Sequence, residues 1–493
     1  MIRWKWFLIL FILSIAMHVH PSHADVYYVT TGGSDDASGD VDHPWASLQH
    51  AADMVSAGDT VIIGSGSYAG FKSKSSGTSG APITFKSVSG GSVILNALSP
   101  DNWHGSIIEI ENHDYWVVDD LEVTGSTTRA GIDIRLADHV TVRNCHCHHN
   151  YKWGIFTGFA DYFTAEYNTC TDSSDEHGIY HSNSGDFAVI RYNVCNNNNA
   201  CGIQINADPS MGGDGISSFC IVSHNFICGN GSGGGAGINL ASVRDSLIAN
   251  NLIYANTAGG IAAWDDGQGT QWGSKNNRFI NNTVHMPANG RWALNLGNGS
   301  TGAQVFNNIL IHESTFRGGL EIDSSSLSGL NSDYNTITRV SVDETNMTLA
   351  QWQSAYSQDA DSLVLTAAET FESSGSDYHL LGTSDALDGG CTRADVIDDL
   401  EGVSRPQGMA YDMGAYEKTH VVYVEKTGTC GGNQPCRTTI TDGIAYYAGG
   451  SIGTVRIAQG IYEELVQTEG AVTLDIGWST DFNGMGAEAV ILK

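Results

Sequence analysis

Residues 154–203 read GIFTGFADYFTAEYNTCTDSSDEHGIYHSNSGDFAVIRYNVCNNNNACGI. Three Gly-Ile pairs, Gly154-Ile155, Gly178-Ile179 and Gly202-Ile203, mark off two segments of 24 residues, with Asn168 and Asn193 at matching places inside them. The register extends both ways. Gly-Ile recurs at Gly131-Ile132, Gly237-Ile238 and Gly260-Ile261; the asparagine slot recurs at Asn225, Asn251, Asn282 and Asn308, with Cys145 in it one repeat earlier. Three residues before the slot stand Val142, Ala165, Ile190, Val222, Ile248, Phe279 and Val305, and two after it stand Cys147, Cys170, Cys195, Ile227, Ile253, Val284 and Leu310. Both columns stay apolar although hydrophobic residues are only 41% of the chain. Short alternating strands with a period near 24 describe a parallel β-solenoid, here three strands per coil. One coil cannot bury its apolar face alone; coils stacked about 4.8 Å apart share one core.

The asparagine column has a physical role. A turn inside the stack leaves backbone N–H and C=O groups without strand partners, and an inward amide can bond both them and the amide of the next coil. The cysteines follow from the same register. Cys147, Cys170 and Cys195 fall in an interior column, where a thiol packs as a small hydrophobe. In Cys145-His146-Cys147-His148-His149, alternation points the two cysteines inward and His146 outward, which speaks against a closed zinc site. Cys430 and Cys436 are the pair spaced for a small disulfide loop.

The chain has 493 residues, 54 Asp+Glu and 23 Lys+Arg, for a net charge of −31. That balance excludes nucleic acid as a partner, because phosphate binding needs clustered cations. Met1–Ala24 has a charged start in Arg3 and Lys5, an apolar run from Phe7 to Met17, and small residues Ser22 and Ala24 before a cleavage point. It reads as a secretory signal, with no membrane span left after its removal. The expected mature protein is secreted or at the cell surface, and monomeric.

The repeats resemble the right-handed parallel β-helix of the pectate-lyase-like superfamily. The resemblance rests on Glu176-His177-Gly178-Ile179-Tyr180 followed by Ser182-Asn183-Ser184-Gly185-Asp186. It rests also on an opening with Tyr27-Tyr28-Val29, Gly58-Asp59-Thr60-Val61 and Gly66-Ser67-Tyr68. A matching close runs through Asp388-Gly389-Gly390, Gly402, Arg405-Pro406 and Asp412-Met413-Gly414-Ala415-Tyr416-Glu417. It implies an all-β, right-handed parallel β-helix over 25–417, with an opening cap at 25–70, coils at about 81–340 and a closing segment at 341–417. A short helix is expected from Thr348 to Tyr356, with Thr348 as N-cap. Residues 418–493 restart the pattern: Thr454-Val455, Ile457, Gly460 and Tyr462 repeat Thr60-Val61, Ile63, Gly66 and Tyr68 at an offset of 394. They read as an incomplete second β-helix.

In such enzymes the Gly-Ile strand faces the substrate. Its outward residues here include Asp133, Phe156, Tyr180, Gln204 and Asn239 in one column and Arg135, Asn206 and Trp264 in the next. Amides suit sugar hydroxyls and rings suit the apolar faces of pyranoses. Two insertions, Ile203 to Asn225 and Ile261 to Asn282, lie on one edge and carry Asp208 and Asp266, as if to wall a cleft. His181 should point inward. The fold carries lyases, hydrolases, epimerases and adhesins; this polar and aromatic face, walled by the two insertions and the charged cluster at 148–177, points to a protein that cleaves or modifies an acidic polysaccharide by β-elimination. That chemistry needs a neutralised uronate carboxylate, a base and an acid. Asp172, Asp175 and Glu176 would hold Ca²⁺, or Arg135 would replace it; Lys152 or His177 would be the base and Tyr180 the acid. A hydrolase would instead pair Asp133 with Asp208 or Asp175. The alternative is a non-catalytic surface protein that binds glycans.

Overall fold

The computed structural model describes residues 24–492 apart from 100, 103, 420, 433–435, 446–452, 463–471 and 481–489. The expected signal segment therefore lies outside the described residues save Ala24. Three long sheets, of 12, 12 and 11 strands, wrap one core. Strands within each are parallel, except for one closing hairpin strand, Thr345–Met347. This is the right-handed parallel β-helix with three strands per coil. The Gly-Ile sheet runs from Phe71–Lys72 to Val340–Val342. The second sheet carries the column from Val142 to Val305, and the third carries Cys147 to Leu310.

Register and burial explain each column. Val142, Ala165, Ile190, Val222, Ile248, Phe279 and Val305 stand in line, at most 1% exposed. Cys147, Cys170 and Cys195 are fully buried free thiols. Between the second and third sheets the asparagines form one continuous ladder. Asn168, Asn193, Asn225, Asn251 and Asn282 each donate Nδ2 to the Oδ1 of the next asparagine at 2.9–3.0 Å, and the series ends in Asn308 and Asn335. Each Oδ1 also accepts the backbone N–H of the slot before it, including that of Cys145. A second ladder, not foreseen, joins Asn198, Asn230 and Asn256 five residues further on.

The ends are capped. A helix from Leu48 to Met54, with Ser47 as N-cap, buries Leu48, Ala51 and Ala52 at one end. At the other, Leu349–Tyr356 forms the expected helix; Thr348 and Gln351 make a capping box, and Trp352 is fully buried. Residues 367–416 fold back over the outer face of the third sheet, where Phe371, Tyr378, Leu380, Met413 and Tyr416 pack on Leu252, Ile309 and Ile311. Arg405 pins this return: its guanidinium pairs with Glu417 at 2.8 Å, both side chains essentially without solvent contact.

The C-terminal segment repeats the opening. Val421–Val424 pairs in parallel with Gly453–Ala458, as Val26–Val29 does with Thr60–Ile63. The Tyr462 hydroxyl donates to the Ala458 carbonyl at 3.1 Å, as Tyr68 does to Gly64 at 2.7 Å. Cys430 and Cys436 form the expected disulfide. Among the described residues no helix is long and apolar enough to cross a membrane.

Candidate functional site

The outward column of the Gly-Ile sheet runs Glu109, Asp133, Phe156, Tyr180, Gln204, Asn239, Ala262, Asn295 and Glu321 in direct register. Facing outward did not leave these groups open. Asp133 is only 1% exposed, because Arg129 and Arg135 close over it at 2.9 and 2.8 Å. Ser106 adds a third hydrogen bond. Burial outweighs the two guanidinium groups and pushes the Asp133 carboxyl up to about 6. Phe156 is stacked on Trp153 with ring centroids 4.3 Å apart, and both arginines lie over its face. Arg135 is thus tied to Asp133 and Phe156 rather than free to neutralise a ligand.

One coil on, Lys152 Nζ is 2.8 Å from Glu176 Oε1, and Trp153 Nε1 donates to Glu176 Oε2 at 2.8 Å. The Glu176 carboxylate holds the Lys152 pKa above its ordinary value, so this amine stays protonated near neutrality. His177 Nδ1 accepts the backbone N–H of Cys201 at 3.0 Å, which leaves the ring proton on Nε2. Burial lowers its pKa to about 4. Neither expected base is therefore poised to take a proton. Burial also raises the Tyr180 pKa; its ring packs edge-on against His177 and Phe156. Lys152, Glu176, His177 and Tyr180 do converge, but as a mutually satisfied cluster around Trp153.

Among the described residues no three His, Cys, Asp or Glu side chains are grouped to hold a metal ion. Glu176 is engaged as above. Asp172 follows the third-sheet strand Thr169–Thr171 and lies near His146, away from Glu176. Asp175 sits close enough to raise the Lys152 pKa, with no metal partner set. Asp208 is an N-cap, accepting from Ser210 at 2.8 Å. The two insertions meet through Asn206 Nδ2 and Asp266 Oδ2 at 2.8 Å.

The open part of this face lies further along. A groove of about 540 Å³ runs from His177 to Asp323. Its floor is Gln204, Asn239, Ala262 and Asn295, and Trp264, Arg291 and Trp292 line it. Asn239 Nδ2 donates to Gln204 Oε1 at 2.7 Å and Trp264 Nε1 donates to Asn239 Oδ1 at 3.1 Å, which fixes the floor. Its remaining lining comes from the glycine loop 233–235 and residues beside the strands, not from the two insertions. A second cavity of about 340 Å³ shares Arg291, Trp292, Asn295 and Asp323 with it and adds Phe316, Arg317, Glu321 and Glu344.

This coil architecture has known relatives. The sequence matches the family described as "Pel9A-like, right handed beta helix region" over residues 27–295. The chain belongs to the Pel9A-like β-helix family. Pectate lyase PEL9 of Emericella nidulans is 32% identical over 151 residues, 27% of this chain and 35% of the lyase. YwoF of Bacillus subtilis is 32% identical over 132 residues, 25% of this chain and 28% of that protein. The chain thus aligns with about a third of the length of these curated relatives. The crystal structure of pectate lyase Pel9A shares the fold, with a TM-score of 0.60 at 17% identity, covering 81% of this chain and 97% of that one.

In this Pel9A-like helix the groove residues missed by motif reading sit where the Gly-Ile pair lapses. Ile261 pairs with Leu294, so Ala293-Leu294 replaces the motif, and Arg291 and Trp292 lie just before it. Arg129 was overlooked although it precedes Gly131 as Lys152 precedes Gly154. The available signal was strand register, not the motif.

Proposed function

We propose that this chain is an extracytoplasmic carbohydrate-active β-helix protein that holds an acidic polysaccharide along the Gly-Ile groove and cleaves it, with β-elimination as the expected reaction. The observation that carries the reading is the groove itself. Trp264 and Trp292 offer rings, Gln204, Asn239 and Asn295 offer amides, and Arg291 has no carboxylate partner among the described residues. Such an array binds sugar rings, hydroxyls and a carboxylate at once. The pectate lyases among its relatives support polysaccharide as the substrate class. The apolar start before Ala24 and the Cys430–Cys436 bridge support an oxidising compartment outside the cytoplasm.

Elimination requires a neutralised carboxylate, and Arg291 is placed to supply that charge. Purified protein should be assayed on polygalacturonate, alginate and rhamnogalacturonan, with added Ca²⁺ and with chelator. Growth of unsaturated uronate absorbance is the expected outcome; absence of binding to every uronate polymer overturns the reading. A second reading, glycan binding without turnover, is favoured by the engagement of Lys152 and His177, and binding with no new chain ends would establish it.

A further inference from the structure

The distal cavity is lined by three carboxylates, Glu321, Asp323 and Glu344, of which the first two share one strand face. Glu321 and Asp323 flank Ile322 on the strand Leu320–Ile322 and its exit. Ile322 is fully buried, so alternation places both acids on the outer face. Their side chains therefore leave the same face of the sheet, two residues apart along the chain. Both line the cavity with Arg291, Trp292, Arg317 and Glu344.

Their surroundings differ. Glu321 is only 5% exposed. Its Oε1 accepts the backbone N–H of Glu344 at 3.1 Å, while its Oε2 is buried without a hydrogen-bond partner. An orphaned buried carboxylate oxygen is costly unless a proton removes its charge. Burial first, then the nearby Asp323 and Glu344 carboxylates, raise the Glu321 pKa. Asp323 is half-buried, and its Oδ2 accepts the Asn298 backbone N–H at 2.7 Å. A deeply buried carboxyl beside a more accessible, hydrogen-bonded one is an arrangement in which the first can give a proton and the second receive one. Both residues lie past residue 295, where the family match ends.

We propose that Glu321 and Asp323 form a hydrolytic pair acting on a carboxylate-bearing glycan in the distal cavity. The inference rests on the reading that such a glycan occupies the groove. The step is balanced. Glu321 gives its proton to the leaving glycosidic oxygen as the bond from the anomeric carbon to that oxygen breaks. Water supplies hydroxide to the anomeric carbon, and its proton passes to Asp323. Exchange with solvent then resets both groups, and no oxidant or metal enters the balance. Arg291 and Arg317 offer guanidinium groups to the sugar carboxylate, with Trp292 beside them.

The test compares wild type with Glu321→Gln, Asp323→Asn and, as a control outside the cavity, Glu313→Gln. New reducing ends and unsaturated product are measured in parallel, with glycan binding and thermal unfolding recorded for each variant. The expected result in wild type is reducing ends in excess of those matched by unsaturated product. These fall by roughly 10²–10⁴-fold in either cavity variant while binding persists, and stay unchanged in Glu313→Gln. Glu321→Gln should also abolish the alkaline limb of the pH–rate profile, since a general acid must be protonated to act. If either variant fails to fold, the conservative Glu321→Asp and Asp323→Glu replace it, with reduced but measurable hydrolysis expected. Reducing ends matched one for one by unsaturated product, or binding without new ends, overturns the hydrolytic pair and leaves the groove reading intact. No glycan binding at all overturns both.

Discussion

Replacing Asn251 by alanine tests whether the amide ladder, rather than the apolar columns alone, holds the coils in register. Asn251 lies mid-ladder and is fully buried. Its Oδ1 accepts from the backbone N–H and the Nδ2 of Asn225 at 3.1 and 2.9 Å, and its Nδ2 donates to the Val222 carbonyl and Asn282 Oδ1, both at 2.9 Å. Alanine removes all four bonds. Asn225 Nδ2 keeps the Ile190 carbonyl, and Asn282 Oδ1 keeps the Asn251 backbone N–H. The Asn225 backbone N–H loses the acceptor that the amide supplies. At about 1 kcal/mol net per bond, with part of a desolvation penalty for the stranded donor, Asn251→Ala should cost roughly 3–5 kcal/mol. Urea titration of the full chain should show a lower midpoint at unchanged slope. Asn225→Ala combined with Asn251→Ala should cost less than the two singles added, because both singles remove the same Asn225 Nδ2–Asn251 Oδ1 bond. Asn251→Asp should be at least as destabilising at neutral pH and recover as pH falls and the buried carboxyl takes a proton. A loss under about 1 kcal/mol for Asn251→Ala, or strict additivity in the double variant, would show that the ladder is a consequence of the stack and not a cause.

Three further outcomes follow from buried groups. Asp133 is raised to about 6 in the folded chain, so its contribution to stability is fully present below the ordinary carboxylate pKa and is lost as pH rises through about 6. Asp133→Asn should flatten the stability profile between about pH 4 and 6, by roughly 2–3 kcal/mol at most, in thermal unfolding across pH. Denatured, unreduced protein should release eight thiols per chain to a thiol reagent and none from Cys430 or Cys436, while the native protein resists at Cys147, Cys170 and Cys195; a lower titre would mean further disulfides. Arg405→Met strands Glu417 beside Asp412 and should cost about 3–5 kcal/mol, read as a lowered denaturant midpoint; an unchanged midpoint would remove the pin from the closing segment.

Fold and site were readable in the sequence to different depths, for a physical reason. Interior positions see the same surroundings in every coil, so they repeat. The columns, the asparagine slot, the inward His181 and the helix capped by Thr348 could all be read from spacing. His181 is indeed fully buried, between Thr157 and the Gly185 carbonyl. The second ladder was harder to see because Ser173 interrupts it. Outward positions do not repeat. Alternation named the face of Asp133 and Phe156 correctly, but not that Arg129, from before the strand, and Arg135 would cover them. Asp172, Asp175 and Glu176 are near in sequence, yet the turn that separates the third sheet from the Gly-Ile sheet parts Asp172 from Glu176. Glu321 and Asp323 follow Gly319-Leu320, a repeat without the Gly-Ile pair, so no motif drew attention to them.

The charge distribution then relocates the site. A chain of net charge −31 repels an acidic polymer unless cations meet it locally. At the near end of the Gly-Ile sheet the cations are already spent within the protein: Arg129 and Arg135 on Asp133, Lys152 on Glu176 and Lys72 on Glu111. A ligand carboxylate there would have to displace a protein carboxylate that is better held. At the far end, among the described residues, Arg291 and Arg317 have no carboxylate ion pair, and they adjoin the aromatic and amide floor. Arg317 Nη1 is held by the Gly290 carbonyl at 2.6 Å, which orients the guanidinium without neutralising it. On the proposed function, an acidic glycan would meet its unpaired cations some five or six coils beyond Arg129 and Lys152. Raised ionic strength should weaken binding through Arg291 and Arg317 while leaving the buried Asp133 cluster unchanged, because screening acts on exposed charges first.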